Sequence, residues 1–353
     1  MTPPPLVVRF GSLGDLVQST VLLAALARAS GRPCDLVTGH GQAPALLAGL
    51  ASVGEVRLVA SRRRPYLLSP DQRALVAWLR RRERSLACLV ETVDAVRPKL
   101  RRLLARGGTH DADLLDAAEL GRGRLEHTVD FLHRVAAAAV ACLDGPPLPP
   151  RPPLPQLAVS DAERAECLDW LARHGCAGRP IVVVHPASRR TNRGRWPEER
   201  WAGVLRQLLA VEPEARVVLS GSAGESAEIA AVARAAADRR LLAAAGDLPL
   251  RRLVALLAFA DSFVGLDSGP AHFAAAVGCP LVALFGRADP RRVAPRGAGS
   301  IEIVAALPRE SWPDDPFTWQ HLNRLEAIPV DAVAAAWRRL PRRGPPPAPG
   351  ARA

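Results

Sequence analysis

The stretch from Ser262 to Gly286, SFVGLDSGPAHFAAAVGCPLVALFG, constrains the fold more than any other part of the chain. It reads as a buried strand, a tight polar turn, a short helix, a Gly-x-Pro break and a second buried strand. Strands joined through a helix in this way lie parallel in one sheet covered by helices. The turn Asp267-Ser268-Gly269 falls where the first strand ends and the helix begins. Unpaired N–H groups and the positive end of the helix dipole make an anion site at such a point. A glycine there lets backbone approach a phosphate closely. The same turn also suits an ordinary connection with an Asx cap, so the surroundings decide between the two.

Those surroundings repeat the βα pattern. Leu6 to Phe10 reads as a buried strand that runs into Gly11-Ser-Leu-Gly-Asp15 and then an apolar helix to about Arg28. Residues 34–38, 55–59 and 85–90 read as further strands with helical patterns between them, which argues for a parallel sheet covered on both faces. The run Gly145-Pro-Pro-Leu-Pro-Pro-Arg-Pro-Pro-Leu-Pro155 excludes helix and central strand and reads as a semi-rigid linker. A first domain is therefore expected over residues 1–150 and a second over 151–329, sizes that suit a chain of 353 residues. In the second, strands are expected at 181–185, 215–220 and 262–265, with helices at 161–174, 197–210, 226–237 and 248–259. A last helix is expected at 330–340, and the proline-rich tail 341–353 is expected to be disordered.

The net charge is +12, and nearly all the positive charge is arginine, Lys99 being the only lysine. Such a chain suits an acidic partner: phosphate, nucleic acid or an anionic membrane face. Arginine in place of lysine is also what a GC-rich coding bias produces. With no zinc-finger spacing, no RNA-binding signature and one tyrosine, nucleic acid is set aside as a partner. The six cysteines form no C-x-x-C pair, so neither a zinc site nor a disulfide framework is indicated. The N-terminal MTPPP lacks the basic and apolar regions of a signal peptide, and no apolar run reaches the roughly 18 residues of a membrane span. A cytoplasmic location is expected.

Several constellations could carry chemistry. Asp15 falls at the first helix N-terminus, at the carboxyl end of strand one, where open α/β sheets hold their ligands; a capping aspartate fits as well. The first loop is not G-x-G-x-x-G, so nicotinamide binding is not indicated. His185-Pro-Ala-Ser188 is followed by Arg189, Arg190, Arg193 and Arg195, then Trp196-Pro197. Guanidinium groups in one βα loop pair with phosphate oxygens, although a solvated basic loop has the same composition. Ser220-Gly-Ser-Ala-Gly-Glu225 ends the next strand; Glu225 suits ribose hydroxyls or an exposed helix start. Asp111-Ala-Asp113 resembles a metal–nucleotide pair but stands in a polar, helical-looking stretch and is read as chance; no metal site is expected. His127 and His133 are read as structural or surface residues. Arg62, Arg63 and Arg64 form a charge run after the third strand.

Together, Arg9-Phe-Gly-Ser-Leu-Gly-Asp15, His185-Pro-Ala-Ser188 with Arg195-Trp-Pro197, Ser220-Gly221 with Glu225, and Asp267-Ser-Gly-Pro-Ala-His272 through Gly286 resemble the ADP-heptose:lipopolysaccharide heptosyltransferases, glycosyltransferase family 9. The resemblance runs from about residue 6 to 340 and is weakest at 95–155. It implies the GT-B fold: two Rossmann-like, doubly wound domains facing across a cleft, with the final helix 330–340 packing back on the first. It implies an inverting, metal-independent transfer from a nucleotide sugar, with no cofactor. By the same resemblance Asp15 acts as general base, and Asp267, Ser268 and Gly269 hold the diphosphate, with His272 beside them. Ser188, Arg193 and Arg195 join the donor site, Leu248 meets the adenine and Glu225 (or Glu228) the ribose. Ser12, Gly14, Arg62, Arg63 and Arg64 fall to an anionic glycan or glycolipid acceptor, with peripheral contact at the inner membrane. One departure stands out. The family's lysine before Trp-Pro is Gly194 here, between Arg193 and Arg195, which leaves open which arginine replaces it and what the donor sugar is. A related transferase with another sugar nucleotide or a non-lipid acceptor, and a catalytically decayed nucleotide-sugar-binding protein, remain the alternatives.

Overall fold

The structure is a computed structural model that describes residues 3–60, 65–91, 93–187 and 195–346. The chain divides into two compact units, Met1–Pro155 and Gln156–Ala353. The proline-rich run carries no regular secondary structure, and the boundary falls at its end.

The first unit alternates strand and helix: β1 (Leu6–Val8), α1 (Leu13–Gln18), α2 (Thr20–Ser30), β2 (Cys34–Thr38), α3 (Ala43–Leu46), β3 (Val53–Leu58), α4 (Pro70–Arg80), β4 (Ala87–Leu89), α5 (Arg97–Arg106), β5 (Leu114–Asp116) and α6 (Thr128–Cys142). The strands pair in parallel in the order β3-β2-β1-β4-β5. β1, β2 and β4 are buried along their whole length, which is why they read as unbroken apolar runs. Leu75, Val76 and Leu79 of α4 and Leu100, Leu103 and Leu104 of α5 pack against Leu6, Val8 and Leu89 of the sheet. The chain winds outward from β1 through β2 to β3, then returns to β4 on the other side. The crevice of a doubly wound sheet opens at such a switch, at the carboxyl ends of β1 and β4. The helix expected from residue 13 to 28 is two helices. The Ser19 hydroxyl donates to the Asp15 carbonyl at 2.8 Å, a bond that bends helices, and α2 starts afresh after it.

The second unit comprises α7 (Asp161–Arg173), β6 (Ile181–His185), α8 (Glu198–Val211), β7 (Arg216–Leu219), α9 (Ser226–Ala236), β8 (Leu241–Ala243), α10 (Leu250–Phe259), β9 (Ser262–Leu266), α11 (Gly269–Ala276), β10 (Leu281–Phe285), α12 (Pro290–Val293), β11 (Ile301–Ala305), α13 (Pro316–Leu322) and α14 (Val330–Arg339). Its sheet is parallel in the order β11-β10-β9-β6-β7-β8, so its switch point lies between β6 and β9. Trp196, Trp201 and Trp337 are fully buried in its core with Val182, Leu219 and Leu284.

Two expectations about the C-terminus are corrected. The helix at 330–340 packs on α8, β10 and β11 of the second unit, not on the first domain. Its apolar face carries Val333, Ala336 and Trp337, and the Trp337 indole donates to the Ser262 hydroxyl at 2.8 Å. The start of the expected disordered tail is ordered too. The backbone N–H groups of Arg343 and Gly344 donate to buried Asp261 at 2.8 and 3.0 Å, and Arg342 stacks 3.7 Å from the centre of the Trp337 ring. Residues 347–353 lie outside the described part.

Candidate functional site

In the first unit the residues gather around Asp15. Ser12 is the N-cap of α1, and Asp15 is the third residue of that helix. The Ser12 backbone N–H and hydroxyl both donate to Asp15 Oδ2 at 2.8 Å, closing a capping box. Arg9, at the end of β1, is buried. Its Nη1 donates to the Val90 carbonyl at 3.0 Å, and its Nη2 lies 3.3 Å from Asp15 Oδ1. Both carboxylate oxygens are therefore held, yet the side chain keeps 34 % of its surface accessible. Gly11 makes room for this arrangement: a Cβ there would stand 2.8 Å from Asp15 Oδ2. Glu91, buried at the end of β4, occupies the other side of the switch point, where its Oε1 accepts from the Val93 N–H at 2.9 Å.

In the second unit the carboxyl edge of the sheet gathers four loops. After β9, Ser268 is the N-cap of α11, but its hydroxyl turns back to the Leu266 carbonyl at 3.1 Å. No side chain caps this helix, and its first turn has no acidic residue. The N-terminus of α11 thus faces the switch-point crevice as an uncovered dipole end. His272 is buried within α11. After β6, His185 is buried with Nδ1 3.1 Å from the Ser220 hydroxyl at the end of β7. Burial holds its imidazole below the usual histidine range, against the opposing pull of Glu225. After β7, Glu225 Oε2 accepts from the Ser222 N–H and hydroxyl at 2.7 Å, a second capping box. Leu248, half-buried after β8, follows Gly246, whose N–H donates to the Gly221 carbonyl at 3.0 Å. That bond draws the Glu225 and Leu248 loops together.

The sequence of residues 115–313 matches Glycosyltransferase family 9 (heptosyltransferase). The chain belongs to this family. Lipopolysaccharide heptosyltransferase 3 of Escherichia coli is 30% identical over 169 residues, 48% of this chain and 49% of that protein. The chain spans about half the length of the curated relatives it matches. The family 9 glycosyl transferase of Veillonella parvula DSM 2008 superposes with a TM-score of 0.75 at 16% identity, covering 95% of this chain and 96% of that one. The E. coli ADP-heptose lps heptosyltransferase II gives 0.70 at 21% identity, covering 95% and 97%. The fold of this family 9 chain is accordingly GT-B, with two Rossmann-like parallel-sheet units.

Other residues singled out in the sequence of the family 9 chain fall as follows. Ser188, Arg189, Arg190, Arg193 and the acceptor candidates Arg62, Arg63 and Arg64 lie outside the described residues. Arg195 does not stand open toward a diphosphate: its Nη2 is 2.6 Å from Glu198 and its Nε 3.5 Å from Glu228. Burial raises the Glu228 carboxyl above its ordinary range, and Arg195 partly offsets this. The Trp196-Pro197 pair is an anchor. Trp196 is buried edge-on to Trp201, and its indole, like Arg200, donates to the Ile328 carbonyl, at 3.2 and 2.7 Å respectively. Asp111 and Asp113 form one short turn before β5, with Asp111 paired to Arg101 at 3.3 Å. Among the described residues no group of three His, Cys, Asp or Glu side chains converges as for a metal. His127 caps α6, its Nδ1 accepting from the Val129 N–H at 3.1 Å, and His133 Nε2 lies 2.8 Å from the Pro149 carbonyl. Five cysteines are buried and Cys142 is exposed; burial pushes the Cys34, Cys167 and Cys279 thiols up to about 12. No described helix is long and apolar enough to cross a membrane. Sequence reasoning quoted Arg9 without giving it a role. Its signal was a lone charge ending a fully apolar strand.

Proposed function

We propose that this chain is an inverting, metal-independent glycosyltransferase. It moves a sugar, a heptose from an ADP-linked donor, onto a hydroxyl of a lipopolysaccharide-core or related glycan acceptor. The observation that carries this reading is Asp15: an accessible carboxylate at the switch point of the first sheet, fixed by Ser12 and by the buried Arg9. An oriented carboxylate within about 3 Å of an acceptor hydroxyl serves as its general base.

In the step proposed, the acceptor oxygen attacks the anomeric carbon from the face opposite the diphosphate. Its proton passes to Asp15, the carbon–oxygen bond to the diphosphate breaks, and that electron pair leaves with ADP. The uncapped N-terminus of α11, with Asp267, Ser268 and Gly269 around it, receives the growing negative charge. A buried, neutral His185 between β6 and β7 brings no proton of its own to that charge. Family membership and the ADP-heptose in the name of the similar E. coli enzyme favour an ADP-linked heptose. The acceptor side rests on Ser12, Gly14 and the basic run Arg62–Arg64.

The test is ADP release and sugar transfer measured with a panel of sugar nucleotides against heptose-deficient lipopolysaccharide core. Transfer from ADP-heptose with inversion at the anomeric carbon is expected. Transfer only from a different nucleotide sugar, or saturable binding of ADP-heptose without turnover on any glycan, would sink the reading.

A further inference from the structure

We propose that the turn Tyr66-Leu67-Leu68, with the basic faces of α4 and α5 beside it, is a docking surface for an anionic lipid bilayer. It does not rest on the transfer reading, although a lipid-borne acceptor would give it a purpose. Leu67 and Leu68 are 78% and 71% exposed, the two most exposed large apolar side chains among the described residues. Two adjacent leucines at the tip of a short 3-10 turn gain nothing from water and reach no core.

What surrounds them is cationic. Arg73 donates to the Leu67 carbonyl, and the Arg106 guanidinium sits 4.6 Å from the centre of the Tyr66 ring. Arg80 donates to the Arg106 carbonyl at 2.9 Å, which joins α4 to the end of α5. On α5, Lys99, Arg102 and Arg106 recur at the three- and four-residue spacing of one helix face, while Leu100, Leu103 and Leu104 face the sheet. Residues 66–106 carry ten arginine and lysine side chains against four carboxylates. The carboxylate nearest the turn, Asp71, is engaged by the Ser69 hydroxyl and the Gln72 N–H. Apolar tips that enter the interface beside guanidinium groups that meet phosphates are how an anionic membrane surface is held. A protein partner would call for a flatter apolar patch with fewer charges at its centre.

The experiment is sedimentation of the full chain with phosphatidylcholine vesicles, with and without phosphatidylglycerol. Binding is expected only when the anionic lipid is present, and it should fall with added salt. Leu67→Ser with Leu68→Ser, and separately Arg102→Ser with Arg106→Ser, should each weaken partitioning by about tenfold or more, with unchanged circular dichroism and melting. Equal binding to neutral vesicles, or wild-type partitioning by either double variant, would overturn the proposal. So would a concentration-dependent mass that the leucine variant abolishes without any vesicle binding, because the leucines would then serve a second copy of the chain. Vesicle binding without sugar transfer would leave this surface standing and remove the proposed activity; transfer to a soluble acceptor without vesicle binding would do the reverse.

Discussion

Arg9 and Asp15 form a buried-to-exposed ion pair across the switch point of the first sheet, Nη2 to Oδ1 at 3.3 Å. The same guanidinium reaches the Val90 carbonyl after β4, so one side chain spans the two strands that flank the crevice. With Oδ2 held by Ser12, rotation of the carboxylate is fixed from both sides. Such second-layer support keeps a reacting group within the narrow geometry that proton transfer needs.

Asp15→Asn is expected to lower kcat by at least about a hundredfold while donor affinity and melting temperature stay close to wild type. The amide keeps the shape and can still accept from the Ser12 N–H, so the cap survives; what is lost is the base. Steady-state kinetics with saturating donor and acceptor, paired with calorimetric donor binding, check this. Near-wild-type turnover would reduce Asp15 to a helix cap.

Arg9→Lys should act through Asp15 rather than on substrate. A lysine cannot reach both the Val90 carbonyl and the carboxylate with one planar fork. We expect kcat to drop about tenfold or more with donor KM little changed, and Arg9→Met to drop it further and to cost stability, because a buried polar contact is lost. A change confined to KM would place Arg9 among the binding residues instead.

The β-strands of both crevices were legible because all-parallel strands are apolar on both faces: 34–38, 181–185 and 262–266 stand out as unbroken runs. The edge strands β5, β8 and β11 were not. They are short or half-exposed, and their composition does not separate them from turns. The loops of the site were legible through Gly11, Asp15, Asp267 and Gly269, whose chemistry is local. The engagement of Arg195 by Glu198 and Glu228 was not, because Glu228 arrives from α9, a distant element in sequence. The packing of α14 was misread for the same reason: an amphipathic helix shows that it has a buried face, not which sheet it covers.

Removing residues 341–353 should destabilise the second unit. Asp261 is 1% exposed at the start of β9 and loses the Arg343 and Gly344 N–H donors together with the Arg342 pair at 3.8 Å. Leaving a buried carboxylate without its donors costs about 2–4 kcal/mol, which for a unit of this size lowers the melting temperature by roughly 5–10 °C. Asp261→Asn in the full-length chain should recover part of the loss in the truncated one. Scanning calorimetry of both would show it; an unchanged melting temperature would mean the tail contributes no net stability.

Donor binding and turnover should be unaffected by excess EDTA, since the proposal assigns the diphosphate charge to helix and arginine donors. The most acidic alternative, Asp111 with Asp113, is a solvent-facing turn in which Asp111 is already paired to Arg101. A strict requirement for magnesium or manganese in a chelator titration would overturn the assignment, and loss of that requirement in Asp111→Ala would then locate the metal.

Stability should decline on the acid side of about pH 6.5 through His185. Burial between β6 and β7 depresses its folded-state affinity for a proton relative to the unfolded chain, whose histidine titrates near the ordinary value of 6.5. The unfolded state therefore binds more protons in the interval below 6.5. Stability is then complete above that value and is lost as pH falls, by at most about 1.4 kcal/mol per pH unit for one group. Glu225 acts in the opposite sense and shortens the interval. His185→Gln removes the titration but can still meet the Ser220 hydroxyl, 3.1 Å away in the wild type. Urea unfolding at about pH 7.5 and about pH 5.5 should thus show a larger drop for wild type than for the variant. Equal drops would mean that His185 is protonated to the same extent in both states, and its burial would then have no consequence for the charge at the donor edge of the second sheet.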